Sequence, residues 1–341
     1  MRTAADPQSL FEEAAAGGRR ALARLLSTVE QGGERARAVA ALAYRSPTEA
    51  QSVGVTGSPG AGKSTLVDGL ITVARSAGVG QLAVLAVDPS SPFTGGAILG
   101  DRVRMQQHAL DEGVYIRSMA SRGHLGGLAL AVPEAIRVAA AAGIGLVVVE
   151  TVGVGQVEVE VASATDTTVV VVNPKWGDAV QANKAGLLEA ADIFVVNKAD
   201  MPGARETRRD LEQMLDLSAS GPSASGHPVS GHAISGHSAS GGWRPPVLEV
   251  VAAKGEGVDR LWGELQRHHE YLESSGELAR RRRERLEREF KSVLVARIER
   301  EVDGLCSDPR FAHLAESVVE HRLDPYEAAD QLVEEVGPGD H

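Results

Sequence analysis

The stretch SVGVTGSPGAGKST, residues 52–65, decides how this chain is read. Ser52 to Thr56 is an extended, partly β-branched run. Gly57 to Thr65 then satisfy the pattern G-x-x-x-x-G-K-[ST] through Gly57, Gly62, Lys63 and Ser64, and a helical pattern follows. Glycines let backbone N–H groups approach phosphate oxygens, and the start of the helix adds a favourable dipole. On this reading Gly57, Ser58, Pro59, Gly60, Ala61, Gly62, Lys63, Ser64 and Thr65 hold a nucleoside triphosphate. Lys63 neutralises the β/γ charge, and the Ser64 hydroxyl ligates Mg²⁺. The bland alternative is an ordinary glycine-rich turn, against which the full motif in strand-to-helix context argues.

Working outward, short apolar runs lie at 53–56, 82–87, 146–149, 168–172, 193–196 and 247–251. They are nearly continuous in Val, Ile and Leu rather than alternating, as expected for parallel strands covered on both faces. Helical patterns fall between them at 63–77, 133–142, 180–190 and 203–217, with Pro133 suited to the first turn of its helix. The rhythm predicts a doubly wound, mostly parallel α/β sheet of P-loop NTPase type. Residues 8–50 read as helical, with Leu22, Leu25, Leu26 and Val29 on one face. Beyond 257 the chain is helical again. A long helix carries an apolar stripe of Leu286, Phe290, Val293, Leu294, Ile298, Val302 and Leu305. Asp324, Pro325 and Glu327 mark the start of a last helix running to about Val336. The expected organisation is a helical extension over 1–50, a nucleotide domain over 51–262 and a helical region over 263–341.

Residues 218–242, rich in Ser, Gly, Ala and His, interrupt the rhythm with a near-repeat ending at His227, His232 and His237. Such a composition buries too little apolar surface to offset chain entropy, so a disordered insertion is expected. Three spaced histidines also admit nickel or zinc binding, as in a metal-delivery GTPase.

With 341 residues and 43% hydrophobic side chains, the chain can build a large core, but only 4% are aromatic. A net charge of −11 argues against a nucleic-acid partner. Cys306 is the single cysteine, so a disulfide framework and a Cys-rich zinc site are excluded and a reducing cytoplasm is the expected setting. Neither a membrane span nor a signal peptide is expected. The run Arg280 to Arg283, with Glu284, Glu287 and Glu289 nearby, reads as a solvated helix face.

Three further segments carry chemistry. Asn197, Lys198, Ala199 and Asp200 follow the run Ile193 to Val196. A carboxylate at Asp200 can accept hydrogen bonds from guanine N1–H and the 2-amino group, which adenine does not offer. The nucleotide is therefore expected to be GTP or GDP. ETVGVGQ, Glu150 to Gln156, puts an acid at a strand tip suited to hold Mg²⁺ and a Gly153 whose N–H can meet the γ-phosphate. Val87 to Met105 holds Asp88 at another strand end and Asp101 beyond it. Taken alone, each aspartate reads first as a cap or turn residue. Gln156 is a candidate to assist hydrolysis, which the sequence does not decide.

Together these segments resemble the MeaB/ArgK/MMAA-type GTPases of the SIMIBI class. The resembling pieces are GGRRALARLLSTVE at 17–30, GVTGSPGAGKST, AVDPSSPFTGGAILGDRVRM, SRGHLGG at 121–127, VVVETVGVGQ, GDAVQANKAGLLEAADIFVVNKAD at 177–200 and DPYEAA at 324–329. The resemblance implies a GTP-hydrolysing chaperone for adenosylcobalamin-dependent methylmalonyl-CoA mutase. Such chaperones gate cofactor delivery and protect or reactivate the enzyme. It also implies a homodimer built with C-terminal helices. Ser64, Asp88, Asp101 and Glu150 match residues around Mg²⁺, and Lys184 matches a lysine in a mobile third switch linked to hydrolysis. On its own, Lys184 equally reads as a solvated helix lysine. Two departures stand out: Asn173-Pro174-Lys175-Trp176 where many relatives have a shorter apolar-Gly run, and Val251-Ala252-Ala253-Lys254 where relatives usually have Ser-Ala. The backbone of Val251, Ala252 and Ala253 can still contact guanine O6.

Overall fold

The computed structural model describes residues 6–46, 49–89, 105–108, 110–121, 127–151, 161, 163–174, 191–220 and 242–334. Three helices come first: α1 (Pro7–Ala15), α2 (Arg19–Gln31) and α3 (Gly33–Tyr44). Leu22, Leu25, Leu26 and Val29 are all buried on α2, as their spacing predicts. Then follow β1 (Gln51–Gly57), α4 (Lys63–Ser76), β2 (Leu82–Pro89), β3 (Val114–Ser121), α5 (Gly127–Ala141), β4 (Leu146–Thr151), β5 (Thr167–Val172), β6 (Ile193–Asn197), α6 (Ala204–Ser220) and β7 (Val247–Val250). Four helices end the described chain: α7 (Val258–Ser274), α8 (Glu277–Cys306), α9 (Pro309–Val319) and α10 (Pro325–Glu334).

The seven strands form one parallel sheet in the order β3-β2-β4-β1-β5-β6-β7. Both faces are covered, which explains the unbroken apolar runs. Along β4, Val147 and Val149 pack with α2, α3 and α5, while Leu146 and Val148 pack with α4 and α7. Along β5, Val169 and Val171 face α4 and α7, while Val170 and Val172 join Phe194, Ala204 and Leu211 on the α6 side. Each such fully buried side chain contributes roughly 1.5–3 kcal/mol of transfer free energy.

Three expectations are corrected. The edge strand β3 was not foreseen, because VYIRSMAS mixes Arg117 and two serines with its apolar residues. Arg117 is used across the fold, donating to Glu30 at 2.6 Å and to Ser27 at 3.1 Å on α2. Pro133 is not in a first turn: α5 begins at Gly127, so the proline sits inside the helix. There it deprives Ala129 of its usual i+4 donor. Finally, Arg280 to Arg283 is not simply a solvated face. Arg280 is, with Glu277 and Glu284. Arg281 instead grips Asp192 at 2.8 and 3.0 Å, and Arg282 grips Asp166 at 2.9 and 3.2 Å. Helix α6 runs through Ser220, and most of the Ser/Gly/His segment, with its three histidines, lies outside the described residues.

The chain divides into two compact units, residues 1–286 and 287–341. In the second, Phe290, Val293, Leu294, Ile298 and Val302 are exposed along α8. The Asp324 side chain accepts from the N–H groups of Tyr326 and Glu327 at 2.8 and 3.0 Å, capping α10 as its sequence predicts.

Asp192 lies just before β6 and also accepts from Thr168 N at 2.8 Å. Fully buried His268 of α7 brings Nε2 to 3.3 Å from the same carboxylate. Burial acts to raise the Asp192 pKa, but His268 and Arg281 outweigh it and hold it at about 2. Because the folded pKa is depressed, the stabilisation is present above about pH 4. It is lost as pH falls through about 2, and is worth about 2 kcal/mol. Asp192→Asn is expected to destabilise the fold at pH 7 by about that amount or more, and to flatten the acid limb of a urea-unfolding pH series. An unchanged acid limb would contradict this linkage.

Candidate functional site

In a parallel sheet, ligands gather outside the carboxyl ends of the strands where the winding direction reverses. Here the chain leaves β1 toward β2 on one side, and crosses from β4 to β5 on the other, so β1 lies at the switch. Gly57 ends β1 opposite Val171, with φ +135°. A Cβ there would meet the Val171 carbonyl oxygen at 2.0 Å, so only glycine lets the backbone turn off the strand. Gly60 and Gly62 also take positive φ, 72° and 88°, and α4 begins at Lys63. Ser58 is half-buried, Pro59, Gly60 and Thr65 are exposed, and Ala61 is buried.

The side chains of this loop are drawn inward. Lys63 Nζ donates to Gly57 O at 2.7 Å and to Ser58 O at 3.2 Å, holding the ammonium over the loop. Ser64 Oγ donates to Glu150 Oε1 at 2.6 Å. Glu150 is only 1% exposed, at the end of β4 where it pairs with Val55 of β1 and Ala86 of β2. The next residue, Thr151, bonds Thr56 across the two strands, Oγ1 to Oγ1 at 3.2 Å. That contact beneath the loop went unforeseen, because nothing in either run announces which threonines face each other.

The end of β6 meets the same loop. Asn197 Nδ2 donates to Ala61 O at 2.7 Å, while its Oδ1 accepts from Ala252 N at 3.0 Å. Lys198 takes φ +59° and donates from Nζ to Gly60 O at 2.8 Å. Val251 and Ala252 are buried beside Asn197, whereas Ala253 is exposed. Asp200 pairs with Lys254 at 3.0 Å; this hydrogen bond holds its carboxyl below the usual range, so it is ionised at neutral pH. The Lys254 pairing was not legible in the sequence.

The fold thus brings together Gly57 to Ser64, Glu150, Asn197, Lys198, Asp200 and Val251 to Ala253. The backbone of Asp88 is last but one in β2, opposite Ala120 of β3 at the carboxyl end of the sheet. Asp101, Gly153, Gln156 and Lys184 lie outside the described residues. As to a metal, the buried Ser64 hydroxyl and Glu150 carboxylate, already in contact, are hard oxygen groups of the kind Mg²⁺ prefers, and would fit part of its shell.

A parallel sheet whose first strand runs through a glycine loop into a helix, with a Lys-Ser pair at the turn, is a P-loop nucleoside triphosphatase fold. Comparison with known proteins narrows the class. The family model described as Methylmalonyl Co-A mutase-associated GTPase MeaB matches residues 22–305. A Pyrococcus abyssi protein described as a GTPase is 46% identical over 327 residues, covering 96% of each chain. The mouse protein named Methylmalonic aciduria type A homolog, mitochondrial is 33% identical over 233 residues, 67% of this chain and 52% of its own. Among solved structures, one titled LAO/AO transport system kinase superposes with TM-score 0.67 at 25% identity, covering 98% of this chain and 99% of its own. The chain belongs to the MeaB family of GTPases and is itself a guanine-nucleotide-binding GTPase.

Two glycines of the loop separate strain from collision. Gly57→Ala should lower stability by about 3 kcal/mol or more, since positive φ and a backbone clash combine. Gly60→Ala, with nothing within 4 Å of its Cβ, should cost only about 1 kcal/mol. Urea unfolding of the two variants measures the difference, and equal costs would contradict the loop geometry.

Proposed function

We propose that GTP binds across this edge of the sheet. Its phosphates lie on Gly57 to Thr65, and its guanine is read by Asp200, with Asn197, Lys198 and the backbone of Val251 to Ala253 framing the base. The observation that carries the reading is the Asn197 carboxamide, which ties the phosphate loop to the base-reading segments in one rigid unit. Lys63 moves from its loop carbonyls to the β/γ oxygens when phosphate arrives. Ionised Asp200 accepts from guanine N1–H and the 2-amino group, a pair of donors that adenine lacks.

Ser64 and Glu150 would hold Mg²⁺, together with Asp88 and Asp101. The ion's contribution is to offset negative charge on the β and γ phosphates. Gly153 and the loop from Asp88 to Asp101 sense the γ-phosphate, and Gln156 or Lys184 assists its departure. Among the described carboxylates near the loop, Glu150 is engaged by Ser64 and Asp200 by Lys254. Intrinsic turnover is therefore expected to be slow.

The family description names a methylmalonyl-CoA mutase association. We take the client to be an adenosylcobalamin-dependent acyl-CoA mutase, whose cofactor loading and protection the GTP cycle gates. The exposed apolar stripe from Phe290 to Val302 suits a homodimer. The lone Cys306 suits a cytoplasmic setting. Among the described residues no helix is long and apolar enough to cross a membrane.

Lys63→Ala is expected to reduce GTP turnover by at least about a hundredfold, as loss of a charge-stabilising donor does. Unchanged turnover would remove the loop from the mechanism. Asp200→Asn should shift preference from GTP toward XTP by at least about a hundredfold in relative affinity; a retained GTP preference would refute base reading by Asp200. The client assignment is tested by co-purification with methylmalonyl-CoA mutase in GDP and in a non-hydrolysable GTP analogue. Nucleotide-dependent capture is expected, and none in either state would overturn it.

A further inference from the structure

At the opposite end of the sheet from the glycine loop lies a cavity of about 180 Å³. Its lining comes from α3, α5, the starts of β1 and β5 and the first turns of α8. Most of the wall is apolar, with Pro133, Ile136 and Ala140 of α5 facing Leu286 of α8. The polar part includes two arginines of α8, Arg282 and Arg285, which share Asp166.

The two arginines are not equivalent. Arg282 is committed to Asp166, to Ala50 O at 3.1 Å and to Glu49. Among the described residues Arg285 gives one hydrogen bond, Nη2 to Asp166 Oδ1 at 3.1 Å. Its Nε is buried and finds no acceptor among the described residues. A largely buried guanidinium with so few acceptors is costly and favours a further one at its terminal nitrogens. Asp166 cannot supply more, since it already serves both arginines and accepts from Ser52 N at 3.1 Å. The wall also holds Glu49 and Arg137, the latter with its guanidinium 5.7 Å from the Tyr44 ring centroid. Burial first, and then the neighbouring Arg285 charge, lower the pKa of Arg282.

We propose that this cavity binds a small monocarboxylate with a compact apolar body. The carboxylate meets the Arg285 guanidinium, whose planar fork matches two carboxylate oxygens. The apolar body rests against Pro133, Ile136, Ala140 and Leu286. The pocket is partly open to solvent, and its volume suffices, since an enclosed cavity of about 150 Å³ holds benzene and this one is slightly larger. A phosphate fits less well, since a compact dianion leaves the apolar wall unused. The occupant does not touch the nucleotide: the glycine loop leaves the far end of β1, about 20 Å along the strand. The proposal therefore stands apart from the GTP reading.

Isothermal titration of the full chain with sodium benzoate, benzamide and inorganic phosphate tests it. Saturable one-to-one benzoate binding is expected, with benzamide at least about tenfold weaker, as loss of a charge-assisted bond implies, and no phosphate binding. Ala140→Leu fills the cavity while keeping both arginines, and should abolish benzoate binding with GTP turnover unchanged. Arg285→Gln should weaken benzoate by about tenfold or more. If the leucine variant does not fold, Ala140→Val reads the same effect in smaller measure. Absence of benzoate binding at millimolar concentration, binding untouched by the Ala140 and Arg285 variants, or phosphate preferred over benzoate would each overturn the proposal.

Discussion

The carboxamide of Asn197 reaches in two directions, donating to Ala61 in the glycine loop and accepting from Ala252 after β7. Both bonds are buried, so neither group has water as an alternative. Three segments far apart in the chain are thereby fixed to one another: the loop that follows β1, the end of β6 and the turn that leads into α7. The glycine at 62 follows from the same contact, because a Cβ there would stand 2.4 Å from the Asn197 amide nitrogen. An aspartate at 197 would lose the donor, and a leucine would lose both bonds. The requirement is for an amide that donates at one end and accepts at the other.

The parallel sheet divides its labour between its ends. At the carboxyl ends, glycines, a lysine and a buried Ser64–Glu150 pair leave backbone donors and hard oxygen groups for a charged ligand. At the amino ends, Asp166 and Asp192 receive arginines from the start of α8. A carboxylate so placed is satisfied only while the arginine stays, since removing one partner strands a buried charge. The same Arg285 that helps fasten α8 borders the cavity, so anchoring and ligand recognition share one guanidinium.

Much of the fold was legible because parallel strands buried on both faces leave continuous apolar runs. β3 was not, since its one free edge lets Arg117 and two serines stand among the apolar residues. The phosphate loop was legible because backbone geometry forces glycines and a lysine to fixed spacings. Asp200 was legible by its place in a short motif, but its Lys254 partner was not, because ion pairs leave no spacing rule across 54 residues of chain. The arginines at 281 and 282 show the same limit. Charge is written in the residue, whereas the buried carboxylate that receives it lies more than 80 positions earlier. Pro133 misled because a proline marks a first turn only when nothing helical precedes it.

The proposed guanine-nucleotide site depends on Asn197 joining the phosphate loop to the base-reading segments. Its most direct test is the dissociation constant of GDP and GTP for Asn197→Ala, measured by titration calorimetry on protein shown by circular dichroism to be folded. Both nucleotides are expected to bind at least about a hundredfold more weakly, since two buried hydrogen bonds that preorganise the site are lost together. A folded variant that binds both nucleotides within about twofold of the parent would contradict it.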